Sequence, residues 1–209
     1  DVDAVQFGVN VIDTIERRED DHRRMVAYFN ASPGKRDCGE LYRAIYLERT
    51  LSWNLIGRML RMSVARDAFA AQSNAYCINE TDLYALFYIV SRMNRPLDVI
   101  GSRLYNYRCG TGISTKPEMD LGEYKRLLGK FDALDSLDAL GELEGDAQQA
   151  REAIRAQMLG ATFYAAAGRL GNPEDTPKAF AMLLERVSPE ALVIAIAQRY
   201  PSSPALVAR

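Results

Sequence analysis

The chain has 209 residues, 48% of them hydrophobic and 26% charged, with 26 Lys and Arg against 28 Asp and Glu. A net charge of -2 gives no electrostatic argument for nucleic acid or an anionic membrane, and no apolar run reaches the roughly 18 residues of a membrane span. Cys38, Cys77 and Cys109 are widely spaced and there is one histidine, a pattern that suits neither a disulfide framework nor a zinc site and predicts reduced thiols in the cytoplasm.

In chain order, residues 1–13 alternate as a β-strand does, and they do so from the start without an initiator Met. The expectation is a portion of a longer protein, with proteolytic processing as the alternative. Asp1 and Asp3 would share one strand face. They read either as oxygen ligands for a divalent cation or as a solvated strand start, and the second is preferred. Glu16 to Asn30 is a charged amphipathic helix. His22, set among Asp and Arg, is read as a surface residue rather than a general base. Ser32 to Lys35 is a turn, and Gly39 to Leu47 a short helix.

Thr50 to Met62 holds the single Trp, Trp53, and the pair Arg58 and Arg61. On a helix these arginines share a face. That face suits either a diphosphate clamp or a solvated surface paired with acids such as Asp67. Asn79 to Arg95 is the central helix, apolar on most faces, with Asn79 as N-cap. Asp82 has two readings: a carboxylate favouring the positive helix end, or a base that deprotonates an acceptor hydroxyl. Pro96 ends the helix. Leu97 to Tyr107 is a strand with no uniformly apolar face, on which Tyr105 and Tyr107 read as packing residues. The loop from Arg108, with Gly110, Gly112 and Ser114, offers donors suited to phosphate.

From Lys116 onward everything reads helical. Asp120 with Glu123, and Asp146 with Gln149, form capping patterns. Gly171-Asn172-Pro173 is a stop, Thr176-Pro177 and Ser188-Pro189 are helix starts, and Pro201 is an end. The chain therefore divides at residues 1–115 and 116–209, as an α/β but mostly helical protein with few strands and an all-α C-terminal region. These C-terminal helices suit a homo-oligomer contact or a docked partner.

Several segments carry a resemblance. Asp1-Val2-Asp3-Ala4-Val5-Gln6-Phe7-Gly8 looks like a strand "DvDiVqFg". Trp53 to Arg61 looks like "wnlxxKxyr", with Arg58 in place of Lys. Thr81-Asp82-Leu83 looks like an "ED" segment. Leu104-Tyr105-Asn106-Tyr107 looks like "lYxY", followed by a "GxGxS"-like loop. Their order and spacing over residues 1–115 resemble the distal, acceptor-side half of family-2-type (GT-A) bacterial glycosyltransferases. The resemblance implies inverting transfer of a sugar from a nucleotide-sugar donor to a saccharide or polyol acceptor, in bacterial surface polysaccharide synthesis. It implies Asp82 as catalytic base, and Trp53, Arg58, Arg108, Gly110, Gly112 and Ser114 as substrate-binding residues. A divalent metal, Mn²⁺ or Mg²⁺, would be held in the parent enzyme by a DxD that precedes this chain. No metal ligand is assigned here, and the chain alone is expected to be inactive. A cytoplasmic protein, peripheral at the inner membrane face, follows from the same resemblance. The alternative is a non-catalytic helical interaction or assembly module.

Overall fold

The computed structural model describes residues 1–16, 18–72, 81–109 and 118–199. It is an α/β chain, mostly helical, with one four-stranded mixed sheet. The strands are β1 (Ala4–Asp13), β2 (Gly34–Arg36), β3 (Arg58–Leu60) and β4 (Leu97–Cys109), in the order β2-β4-β1-β3. β1 and β4 run parallel, while β3 pairs antiparallel with β1 and β2 antiparallel with β4. Among the described residues, no helix is long and apolar enough to cross a membrane.

Two compact units emerge. The first comprises residues 1–74, 79–116 and 136–150, and the second 75–78, 117–135 and 151–209. The first unit contains the sheet, α1 (Glu19–Phe29), α2 (Met62–Ala71) and α3 (Thr81–Arg92). The second contains α4 (Leu121–Leu127), α5 (Gly129–Asp135), most of α6 (Gly145–Gly168), α7 (Thr176–Leu184) and α8 (Pro189–Arg199). Residues 136–150 group with the first unit although they follow the 115/116 division expected from sequence.

In the first unit the core is built around α3. Every residue from Leu83 to Val90 is buried, as expected of a helix that is apolar all round. A π-helical turn, Arg43–Leu47, lies against it, closed by the Glu48 N–H on the Arg43 carbonyl at 2.9 Å. The Tyr46 hydroxyl donates to the Leu83 carbonyl at 3.0 Å, and the Tyr42 and Phe87 rings meet at 4.7 Å. The Tyr84 and Tyr88 hydroxyls converge on Ser136 at 2.8 Å.

Asp3 is not solvated, whereas Asp1 is exposed. Asp3 is 2% exposed and accepts from the Asn94 and Arg95 backbone N–H groups at 2.9 and 3.0 Å, and from Arg61 Nε at 2.9 Å. It thereby ties the end of α3 to the start of β1. Asp1 pairs with Arg61 and Arg95. The shared helix face of Arg58 and Arg61 is also corrected. Residues 50–57 form no helix, Arg58 opens β3 and Arg61 precedes α2, so the two side chains diverge to Gln6 and to Asp3. The turn at 32–35 gives way to β2 at Gly34, whose φ of 136° only glycine adopts readily.

β4 explains why its strand faces look alike. Register shifts interrupt its pairing with β1 between Gln6 and Val9, and residues 101–106 are exposed on both faces. Leu104 and Tyr105 are among these exposed residues rather than packed ones, while Tyr107 is half-buried against Phe29.

The second unit is assembled locally. Asp120 and Glu123 form the full capping box, with the Glu123 N–H on Asp120 at 2.7 Å and the Asp120 N–H on Glu123 at 3.0 Å. Asn172 caps the Pro173 turn and Ser188 caps α8. Tyr124, Leu137 and Leu183 are each fully buried, Leu137 in the first unit and the other two in the second. Asp146, which belongs with Arg43 to the first unit, departs from expectation. Its carboxylate receives Arg43 in a two-pronged bridge at 2.9 and 3.0 Å, and this guanidinium holds the carboxyl below its ordinary value.

Candidate functional site

The residues singled out from sequence separate into three groups. Trp53, Arg58 and Asp82 come together in the first unit. Arg108 is an exposed residue near the end of β4, paired with Ile12 of β1. Gly110, Gly112 and Ser114 lie outside the described residues, as do Asn79, Cys77 and Pro201.

Asp82 sits in the first turn of α3 and is half-buried. Its Oδ2 accepts the Leu55 backbone N–H at 3.2 Å. Among the described residues no donor reaches Oδ1. The carboxylate thus steadies the 52–57 loop with one oxygen and keeps the other available. The helix start also favours its negative charge.

The 52–57 loop is seated by backbone contacts. The Phe7 N–H donates to the Gly57 carbonyl at 2.8 Å. Gly57 has a φ of 79°, and a Cβ there would stand 2.9 Å from the Phe7 carbonyl oxygen. Only glycine satisfies both demands.

Arg58 is half-buried at the centre of this group. Its guanidinium donates to Gln6 Oε1 at 2.9 Å and to the Ser52 and Asn54 carbonyls. Desolvation lowers its pKa to about 10, offset in part by the Tyr46 and Tyr28 phenols and the Asp82 carboxylate. It therefore stays charged at neutral pH. Its donors are turned inward to its own chain, so it shapes the loop instead of presenting an open clamp to a diphosphate. Among the described residues no carboxylate touches the guanidinium directly, and Asp82 supplies the nearby opposite charge.

Tyr28, on the last turn of α1, completes the cluster. Its ring meets Trp53 edge-on with centroids 6.1 Å apart. Burial pushes the Tyr28 phenol well above its ordinary range, against the Trp53 backbone and Arg58, which pull it down. Burial acts on Tyr46 in the same direction. Both are neutral hydroxyls at any physiological pH. Sequence reasoning missed Tyr28 and Gln6, because neither carries a local signal: Gln6 is one polar letter in an apolar strand, and Tyr28 one aromatic on an amphipathic helix.

His22 is less bare than its neighbours in sequence suggest. Its Nδ1 lies 2.6 Å from Asp13 Oδ2 at the end of β1. Beside it the Thr14 N–H donates to the Cys109 carbonyl at 3.0 Å, and the Cys109 thiol touches the Met25 sulfur at 2.8 Å.

The divalent cation implied by the family resemblance finds no fitting donor set in these residues. Asp1 and Asp3 are engaged by arginines and backbone N–H groups, and no group of three or more His, Cys, Asp or Glu among the described residues converges to hold a metal. Comparison with known proteins gives no relative: no family model, curated protein or solved structure matches this chain.

Proposed function

We propose that this chain is the acceptor-side portion of a family-2-type, GT-A-like glycosyltransferase, acting by inverting single displacement. Asp82 Oδ1 accepts the proton of an acceptor hydroxyl, whose oxygen then forms the new bond to the anomeric carbon as the bond to the diphosphate breaks. The observation that carries the reading is the state of Asp82: one oxygen fixed by the Leu55 N–H, the other with no donor among the described residues, beside Trp53 and a half-buried Arg58. General-base catalysis needs a carboxylate oriented in this way. Trp53 offers an aromatic edge for a sugar ring, and Arg108 an exposed cation for the leaving diphosphate. Arg58 acts through the loop it holds, as a positioning residue.

The test is Asp82→Asn in the longer protein. Asn retains a carbonyl oxygen for the Leu55 N–H but cannot take up the proton. Loss of sugar transfer with an unchanged melting temperature supports the reading. Retained transfer with a lowered melting temperature makes Asp82 the counter-charge of Arg58 and nothing more.

One observation favours a second reading, a non-catalytic interaction module. The second unit exposes large apolar side chains, with Val193 64%, Tyr164 57% and Ile194 56% accessible. Exposed apolar residues of this size suit a partner surface. Sedimentation of this chain across a concentration series separates the two: self-association abolished by Val193→Ser with Ile194→Ser supports the module.

A further inference from the structure

The parallel ladder of β1 and β4 shifts register twice between Gln6 and Val9. Gln6 pairs with Val99 and Gly8 with Arg103, so Ile100, Gly101 and Ser102 stand opposite Phe7. Bulges of this kind gather beside functional sites. This one opens a cleft of about 160 Å³ between the strands and the end of α1.

The walls of the cleft are chemically one-sided. Gln6 is 2% exposed and lines it. Its carbonyl oxygen is taken by Arg58, and no acceptor among the described residues takes its amide NH₂, which leaves N–H donors for the cleft. Asn30 is a fixed wall: its Oδ1 accepts the Val9 N–H at 3.0 Å, and its Nδ2 donates to the Val9 and Val26 carbonyls at 3.1 and 2.7 Å. Gly8 lets these groups approach, since a Cβ there would stand 2.6 Å from Asn30 Oδ1 and 2.9 Å from Arg103 Cγ. Arg103 is the one lining residue with a formal charge. No carboxylate among the described residues bridges to it. The remaining lining, including Phe29, Val99 and Ile100, is apolar.

A guanidinium fork, amide donors and apolar walls without a lining carboxylate match an anionic group carried on a partly apolar body. We propose that this cleft is a subsite for the carboxylate-bearing ring of an acidic saccharide. Arg103 receives the carboxylate in the planar geometry its fork favours, and the Gln6 amide donates to a sugar oxygen. The volume holds one ring. Gln6 joins the cleft to the Asp82 cluster through Arg58, so the subsite would select an acidic acceptor. That role in the reaction rests on the transferase reading, whereas the binding itself does not.

The experiment is a chemical-shift titration of the ¹⁵N-labelled chain with glucuronate, with glucose as its neutral counterpart and inorganic phosphate as a bare anion. The expected result is saturable shifts at Gly8, Gly101 and Arg103, with glucuronate binding about ten-fold or more tighter than glucose. Arg103→Gln removes that preference, Arg103→Lys keeps part of it, and Arg126→Gln in the second unit leaves it intact. Equal binding of glucose and glucuronate overturns the proposal. So does phosphate binding as tightly as glucuronate, an unchanged preference in Arg103→Gln, or no shift at millimolar ligand. Circular dichroism of each variant confirms that it is folded. The assay needs neither donor nor metal. Glucuronate binding without sugar transfer by the longer protein would therefore remove the transferase reading and keep the subsite. Transfer without such binding would do the reverse.

Discussion

The two units are held by different kinds of contact. In the first, the decisive polar bonds join residues far apart in sequence: Asp3 to Asn94, Arg61 to Asp3, Arg58 to Gln6. In the second, caps and turns spanning two to four residues recur, such as Asp120 to Glu123 and Asn172 to Glu174, laid over an apolar core of Tyr124, Ala179 and Leu183. The first unit therefore uses charged groups, the buried Asp3 among them, to tie distant segments together, while the second, which also buries Lys130, is built largely from local caps over an apolar core. A buried ion in a well-packed region rarely improves stability over apolar side chains of the same volume. Long-range contacts such as that of the half-buried Arg58 at the 52–57 loop fit a demand for geometry at Asp82.

Substitutions sharpen this contrast. The largest effect expected is Asp82→Asn, which should lower sugar transfer by the longer protein by about 10²-fold or more while leaving the melting curve in place, as an initial-rate assay will show. In the second unit, Leu183→Ala should cost about 3 kcal/mol through the lost apolar burial and the cavity it leaves, read by urea denaturation. In the first, Asp3→Ala should cost about 3 kcal/mol for a different reason, because it leaves the Asn94 and Arg95 N–H donors without their acceptor and removes one partner of Arg61. The smallest effect is Asp120→Ala, about 1 kcal/mol for a lost N-cap. If Asp3→Ala cost no more than Asp120→Ala, the contrast between the units would collapse.

Acid gives a second handle on the same difference. Burial pushes the Asp3 carboxyl up, but the Asn94 and Arg95 N–H groups and Arg61 outweigh it and hold the pKa below its ordinary value of 3.8. The folded pKa is thus the lower one. The stabilisation is present above the unfolded value and drains away as the pH falls through the folded value. Melting temperatures measured from pH 5 to pH 2 should show an acid limb for the first unit that Asp3→Asn flattens.

The same contrast explains what could be read from sequence. The capping box at Asp120 was legible because its partners are three residues apart, as were the helix starts at Thr176 and Ser188 and the buried run of α3. β4 was legible as a strand, but its register was not, because two shifts against β1 break the alternation on which register depends. Arg58 illustrates the limit. Three residues from Arg61, it suggested a shared helix face, and only the pairing of Gln6 with Arg58 across the sheet reveals that the guanidinium points inward. Asp146 was misread as a cap because its true partner, Arg43, lies 103 residues away. Trp53, Arg58 and Asp82 lie together in the first unit, while Gln6 and Tyr28 became visible only through packing.

The π-turn at Arg43–Leu47 has a consequence for how this chain tolerates change in length. A turn closed five residues back carries one residue more than an α-helical turn needs. Removing one residue there would restore ordinary α-helical winding at little backbone cost, yet would rotate everything that follows by about 100°. Tyr46 would then swing off the Leu83 carbonyl. The extra residue acts as a phase setting, and a single-codon deletion at this turn should produce a folded chain whose Asp82 cluster is out of step.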